Sequence, residues 1–97
     1  MYAIEFTPEA NEDLSRFRRF EQKLILDEIE NQLQFEPNVE TRNRKAMRPN
    51  PVAGWELRIG KFRVFYNVEQ SPAVVSIEAI GFKIGGVLYI RGEKRTI

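Results

Sequence analysis

The sequence contains no cysteine, which excludes disulfides, thiolate metal sites and a cysteine nucleophile. Histidine is absent too, so the usual general base and the commonest metal ligand are both missing. No apolar run approaches the roughly 18 residues of a membrane span, and the opening MYAIEFTPEA lacks the pattern of a signal peptide. A cytoplasmic protein is therefore expected. The 97 residues leave room for one domain, residues 1–97, without a second core. A composition of 42% hydrophobic and 30% charged residues is ordinary for a soluble globular chain.

The net charge of +1 hides a split. Residues 1–40 carry ten acidic and four basic side chains, a net of −6, and residues 41–97 carry four acidic and eleven basic, a net of +7. A basic half suits a polyanion, because Lys and Arg displace counterions from phosphates. Charge asymmetry alone does not decide the point, since small proteins are often lopsided.

Tyr2 to Phe6 alternates as a strand, closed by Thr7-Pro8. Thr7 is placed to cap a helix, with Pro8 at its first position and acidic residues in its first turn. Ala10, Leu14 and Phe17 then recur at helical spacing. A second helical run, EQKLILDEIENQLQF, sets Leu24, Ile25, Ile29 and Leu33 on or near one face, with Phe35 nearby, and stops before Pro37. An antiparallel helical pair is expected, its outside acidic. Residues 37–54 have three prolines, four basic side chains and no hydrophobic period. So long a connection is often functional, and otherwise a solvated surface loop.

After Gly54 the period becomes two. Trp55, Leu57 and Ile59 alternate with Glu56 and Arg58, and Gly60-Lys61 makes a tight turn. Phe62, Val64, Tyr66 and Val68 then alternate with Arg63, Phe65 and Asn67. Phe62 after Gly60-Lys61 does not fit a phosphate loop. SPA at 71–73 turns the chain into VVSIEAIGF, with Val75, Ile77 and Ala79 expected on one face, and GVLYI at 86–90 forms a further short strand. The order β-α-α-β-β-β(-β) predicts an α+β fold, a mainly antiparallel sheet packed on the N-terminal helical pair.

Once the core set is assigned, Glu56, Arg58 and Arg63 are left pointing outward together. Lys83 and Tyr89 lie beyond the next strand, where a compact sheet would bring them to the same surface. That set holds no ligands for a transition metal, but it suits phosphodiester chemistry. Arginine forks bind phosphate oxygens and neutralise charge in transfer. A carboxylate or a deprotonated lysine is able to take the proton of a ribose 2′-OH, and a cation to protonate the leaving oxygen. Tyrosine stacks on an unpaired base. The competing reading is a set of cross-strand ion pairs worth little in water.

WELRIGKFRVFYNVE followed by VVSIEAIGFKIGGVLYI resembles the core of the RelE/ParE superfamily of bacterial toxins. The opening FTPEANEDLSRF and the basic segment RKAMRPNPVAGW resemble the family in the same order, so the likeness runs along nearly the whole chain. The resemblance implies a compact fold of this kind, no cofactor, and a cognate antitoxin, usually encoded beside the toxin, that holds it inactive. RelE-like members cut mRNA in the ribosomal A site by attack of the 2′-OH on the adjacent phosphate. ParE-like members inhibit DNA gyrase instead.

Carried over residue by residue, the RelE catalytic positions fall on Arg63, on Arg58 where RelE has lysine, on Lys83 where RelE has arginine, and on Tyr89. Glu56 stands where RelE has the first basic residue of its hairpin strand. The resemblance implies that Arg63 and Arg58 hold the phosphate, with Lys83 the candidate acid or charge stabiliser and Tyr89 the stacking or orienting residue. Glu56 is either the candidate base or a carboxylate that pairs with Arg58 or Arg63 and weakens phosphate binding. Arg42, Arg44, Lys45, Arg48 and Lys61 would contact ribosomal RNA. Three outcomes stay open: an mRNA endonuclease, a gyrase inhibitor, and an inert chain that still binds its antitoxin.

Overall fold

The structure is a computed structural model that describes residues 1–97. It opens with strand β1 (Ala3–Phe6), followed by helices α1 (Pro8–Ser15) and α2 (Arg19–Leu33). Strands β2 (Arg44–Ala46), β3 (Trp55–Ile59), β4 (Phe62–Gln70), β5 (Ala73–Ile84), β6 (Val87–Ile90) and β7 (Glu93–Arg95) complete it. The expected α+β fold is present. Thr7 caps α1 by accepting the Ala10 N–H at 3.1 Å, and Glu21 starts α2 by accepting the Arg18 N–H at 3.0 Å. Each supplies an acceptor that the first turn of a helix lacks.

In α2 the buried stripe is Ile25, Ile29 and Leu33, spaced four apart along one face. Leu24, expected beside them, points a quarter-turn away and is 46% exposed. Phe35 lies past the end of the helix and is also exposed.

The strands run β2-β3-β4-β5-β6-β7 across one sheet, every neighbouring pair antiparallel. β1 joins from outside this path, parallel to β5. Strand β5 therefore has a divided edge. Its first half, Val74–Ile77, pairs with β1, and its last residues, Gly81–Ile84, pair with β6. Between those partners its backbone groups are met from helix α1 and its cap. Thr7 N–H reaches the Ile77 carbonyl at 3.0 Å, Thr7 Oγ1 donates to the Glu78 carbonyl, and Asp13 Oδ2 accepts the Ile80 N–H at 3.0 Å. A buried strand edge left open there would cost the full desolvation of each orphaned group.

Leu57, Ile59, Phe62, Val64 and Tyr66 all join the main core against Ile25, Ile29 and Leu33, with Trp55 packed on it, as the alternation predicts. Burying each such side chain contributes about 1.5–3 kcal/mol. The Tyr66 hydroxyl inside that core donates to the Pro37 carbonyl at 2.7 Å, and burial pushes its pKa up.

Four expectations are corrected. A register shift opposite Phe65/Tyr66 leaves Glu78 unpaired in β5, a bulge that reverses the facing of everything after it. Val75 and Ile77 thus face the helices while Ala79 faces the other way. Residues 37–54 are also more than a connection. Arg44–Ala46 form the edge strand β2, and residues 47–54 close into a loop stapled by Asn50. Its side chain donates to the Arg48 and Ala53 carbonyls and accepts from the Val52 and Ala53 N–H groups. Ala53, Met47 and Val52 of that loop roof a second, smaller apolar cluster with Phe65, Ala79, Leu88 and Ile90 on the sheet face away from the helices, where a single core was expected. Finally, β7 extends the sheet beyond the expected last strand. No helix is long and apolar enough to cross a membrane.

Candidate functional site

Beside the second apolar cluster, the same sheet face carries polar groups. Antiparallel register sets Lys45 against Glu56 and Arg58 against Arg63, so all four start from this face. The bulge at Glu78 adds Lys83. In an unbroken strand Lys83 would share the face of Val75 and Ile77, and the extra residue turns it to the opposite one.

The sheet curls until the loop after β2 and the residues after β7, opposite ends of the strand order, line one cleft of about 560 Å³. Its polar lining includes Lys45, Arg48, Glu56, Arg58 and Lys83, with Thr96 and Ile97 on the far wall. A smaller adjoining recess of about 250 Å³ shares Glu56 and Lys83 and adds Lys94 and Arg95. Together they are lined by six basic residues and one acidic one, Glu56.

Glu56 is only 7% exposed, and its Oε1 receives Arg58 Nε at 2.9 Å. The arginine side chain is itself almost half exposed. An ion pair so placed adds little stability, because the carboxylate is desolvated while its partner is not. It leaves the terminal nitrogens of Arg58 at the cleft, where a guanidinium offers paired donors to a phosphate.

The other expected residues are distributed differently. Arg63 folds back on its own hairpin. Its Nη1 donates to the carbonyls of Gly60 at 2.7 Å and Phe62 at 2.9 Å, its Nε is buried without a partner, and it does not line the cleft. Tyr89 is on the wrong face for the cleft. It pairs in register with Phe82 and stacks on that ring at 5.4 Å, and Phe82 packs toward the helices against Phe17. Leu88 therefore takes the place across from Lys83.

Of the five residues expected to contact RNA, Lys45 and Arg48 line the cleft. Arg44 has a structural task, donating to the Gln32 carbonyl at 2.6 Å and the Val39 carbonyl at 3.1 Å, where α2 ends. Lys61 sits over the Phe62 ring and 3.7 Å from Glu21. Arg42 is exposed outside the cleft.

The cleft wall formed by Lys94 to Ile97 was not among the residues expected from the sequence. The signal was there in the charged run GEKRTI after a glycine, which fits a turn and a short edge strand. Nor was Asp13, the other buried charged side chain, among the expected residues. Burial raises its pKa, against the Ile80 N–H, Arg91 and Arg16, which lower it. No three His, Cys, Asp or Glu side chains cluster as metal ligands.

A family model described as the ParE toxin of the type II toxin–antitoxin system parDE matches residues 4–81. Among solved structures, the fold is similar to a chain in the crystal structure of the toxin–antitoxin complex RelBE2 from Mycobacterium tuberculosis. The TM-score is 0.74 at 22% identity, over 84% of this chain and 91% of that one. At that identity the likeness is one of fold. No curated protein matches.

Proposed function

The chain belongs to the ParE toxin family of type II toxin–antitoxin systems, and we propose that it is an antitoxin-controlled toxin whose basic cleft cleaves RNA. The observation that carries this reading is the meeting of Glu56, Arg58 and Lys83 in one cleft. Those three side chains suffice for a transesterification. Glu56 takes the proton of a ribose 2′-OH, whose oxygen bonds to the adjacent phosphorus. Arg58 holds the phosphate oxygens as charge builds on them. Lys83 gives a proton to the departing 5′ oxygen as its bond to phosphorus breaks. The products are a 2′,3′-cyclic phosphate and a 5′-hydroxyl, with no oxidant or metal in the balance. Lys45 and Arg48 hold the flanking phosphates.

The resemblance noted from the sequence extends the substrate to mRNA on the ribosome. It extends the partner to a cognate antitoxin, and the similar fold in RelBE2 is that of a chain in a toxin–antitoxin complex. Arg63 serves in this scheme as a brace for the hairpin that presents Arg58.

A second reading, inhibition of DNA gyrase without cleavage, is favoured by the ParE description of the family and by the absence of Arg63 and Tyr89 from the cleft lining. Induction in growing cells separates the two. Translation collapsing with cut messages, and rescue by Arg58→Ala in a variant that stays folded, is the expected result. Filamentation with a DNA-damage response and intact messages would favour the gyrase reading.

A further inference from the structure

The turn between β6 and β7 uses Arg91 and Gly92, both at positive φ, 54° and 75°. Two such residues joining paired strands make the tight hairpin turn in which Asn or Gly is usual. An arginine there is strained by its own Cβ. Its side chain offers the reason. Arg91 Nε lies 3.0 Å from Oδ1 of Asp13, a carboxylate only 1% exposed whose Oδ1 has no directed hydrogen bond. Arg91 Nη2 also approaches the Glu78 carbonyl at 3.5 Å, at the bulge that turns Lys83 into the cleft. The hairpin held in this way has no other neighbour on its outer side, because β7 pairs with β6 alone. Lys94, Arg95, Thr96 and Ile97 of that hairpin and its continuation form the far wall of the cleft and recess.

We propose that Arg91 is a positioning residue, an anchor on the helix face whose pairing with Asp13 sets the β6–β7 wall of the basic cleft on the other face. The inference rests on the RNA reading of the cleft for its consequence, but not for the anchor itself. Grip on an RNA strand then depends on a pair that never touches it. Anything bound over α1 that draws Asp13 or Arg91 away would loosen the wall.

Arg91→Gly tests this without distorting the turn, since glycine is at ease at that φ. Amide hydrogen exchange on the purified protein should show loss of protection across Ile90 to Arg95, with the β3–β4 amides unchanged, and Asp13→Asn should give the same signature. Affinity for a short 2′-O-methyl RNA, which lacks the attacking hydroxyl and stays uncut, should fall about tenfold. In a Lys94→Ala/Arg95→Ala background, where the wall has no cations left to place, Arg91→Gly should cost nothing more.

Retained protection of the hairpin overturns the anchor. An equal fall in both backgrounds overturns the positioning role, because Arg91 would then act on RNA directly. If the unaltered protein does not bind the probe, the RNA reading of the cleft falls. The exchange result still decides for or against the anchor.

Discussion

Asp13 and Glu56 are the two buried charged side chains, and their surroundings assign them different tasks. Asp13 closes the gap in the edge of β5 and is faced by Arg91, Arg16 and Glu12. Replacing it with alanine orphans the Ile80 N–H and unpairs Arg91, and should cost about 3 kcal/mol in chemical denaturation. Its titration has a definite sign. Burial raises the folded pKa above the ordinary 3.8, so the folded chain holds the proton more tightly than the unfolded one. Its contribution is fully present below that ordinary value and is lost as pH rises through the folded pKa. Asp13→Asn escapes the loss, so melts from acid to neutral pH should show the stability difference moving in favour of the variant as pH rises. A difference flat with pH contradicts this. Arg63 and Arg58, neighbours across one hairpin, should also part company. Arg63→Ala removes two hydrogen bonds to turn carbonyls and should cost about 1 kcal/mol, leaving cleavage within several-fold. Arg58→Ala leaves the buried Glu56 without its hydrogen-bonded partner, should cost about 1–3 kcal/mol, and should abolish cleavage.

Elements whose residues argue locally were legible in the sequence. Thr7-Pro8 announces α1, and Gly60-Lys61 announces the β3–β4 hairpin because the alternation on both sides agrees about the core face. The bulge at Glu78 was not legible. Ala79 and Ile80 are both apolar, so either facing satisfies the pattern, and pairing with β4 decides between them. Tyr89 was misplaced for the same reason, since its facing follows from Phe82 across the β5–β6 pair. Strand β2 has no apolar residue before Ala46 to alternate, and only its register against β3 identifies it. Two element-scale substitutions probe these devices. A Cβ at Gly81 would collide with the Tyr89 carbonyl, so Gly81→Ala should force β6 off β5 and lower stability by about 1–3 kcal/mol. Asn50→Ala removes the staple of the loop that carries Arg48. It should weaken RNA binding as well as stability, read by titration with the uncut RNA probe.

For the whole molecule, the charge split maps onto layers. The net −6 of residues 1–40 covers β1 and the two helices, while the basic cleft opens on the opposite face of the sheet. A polyanion is thus met by one face and repelled by the other, and the small net charge of the chain conceals both. Binding of single-stranded RNA should weaken with salt by a log–log slope of about −0.7 for each phosphate held, and Lys45→Ala should make that slope shallower by about the same amount. The central claim is that Glu56, Arg58 and Lys83 form an RNA-cleaving site. It is tested most directly by adding purified protein to ribosomes programmed with a defined mRNA and analysing the ends produced. The unaltered protein should produce cut messages ending in a 2′,3′-cyclic phosphate, and folded Arg58→Ala should not. Intact messages, together with inhibition of supercoiling by purified gyrase, would contradict it.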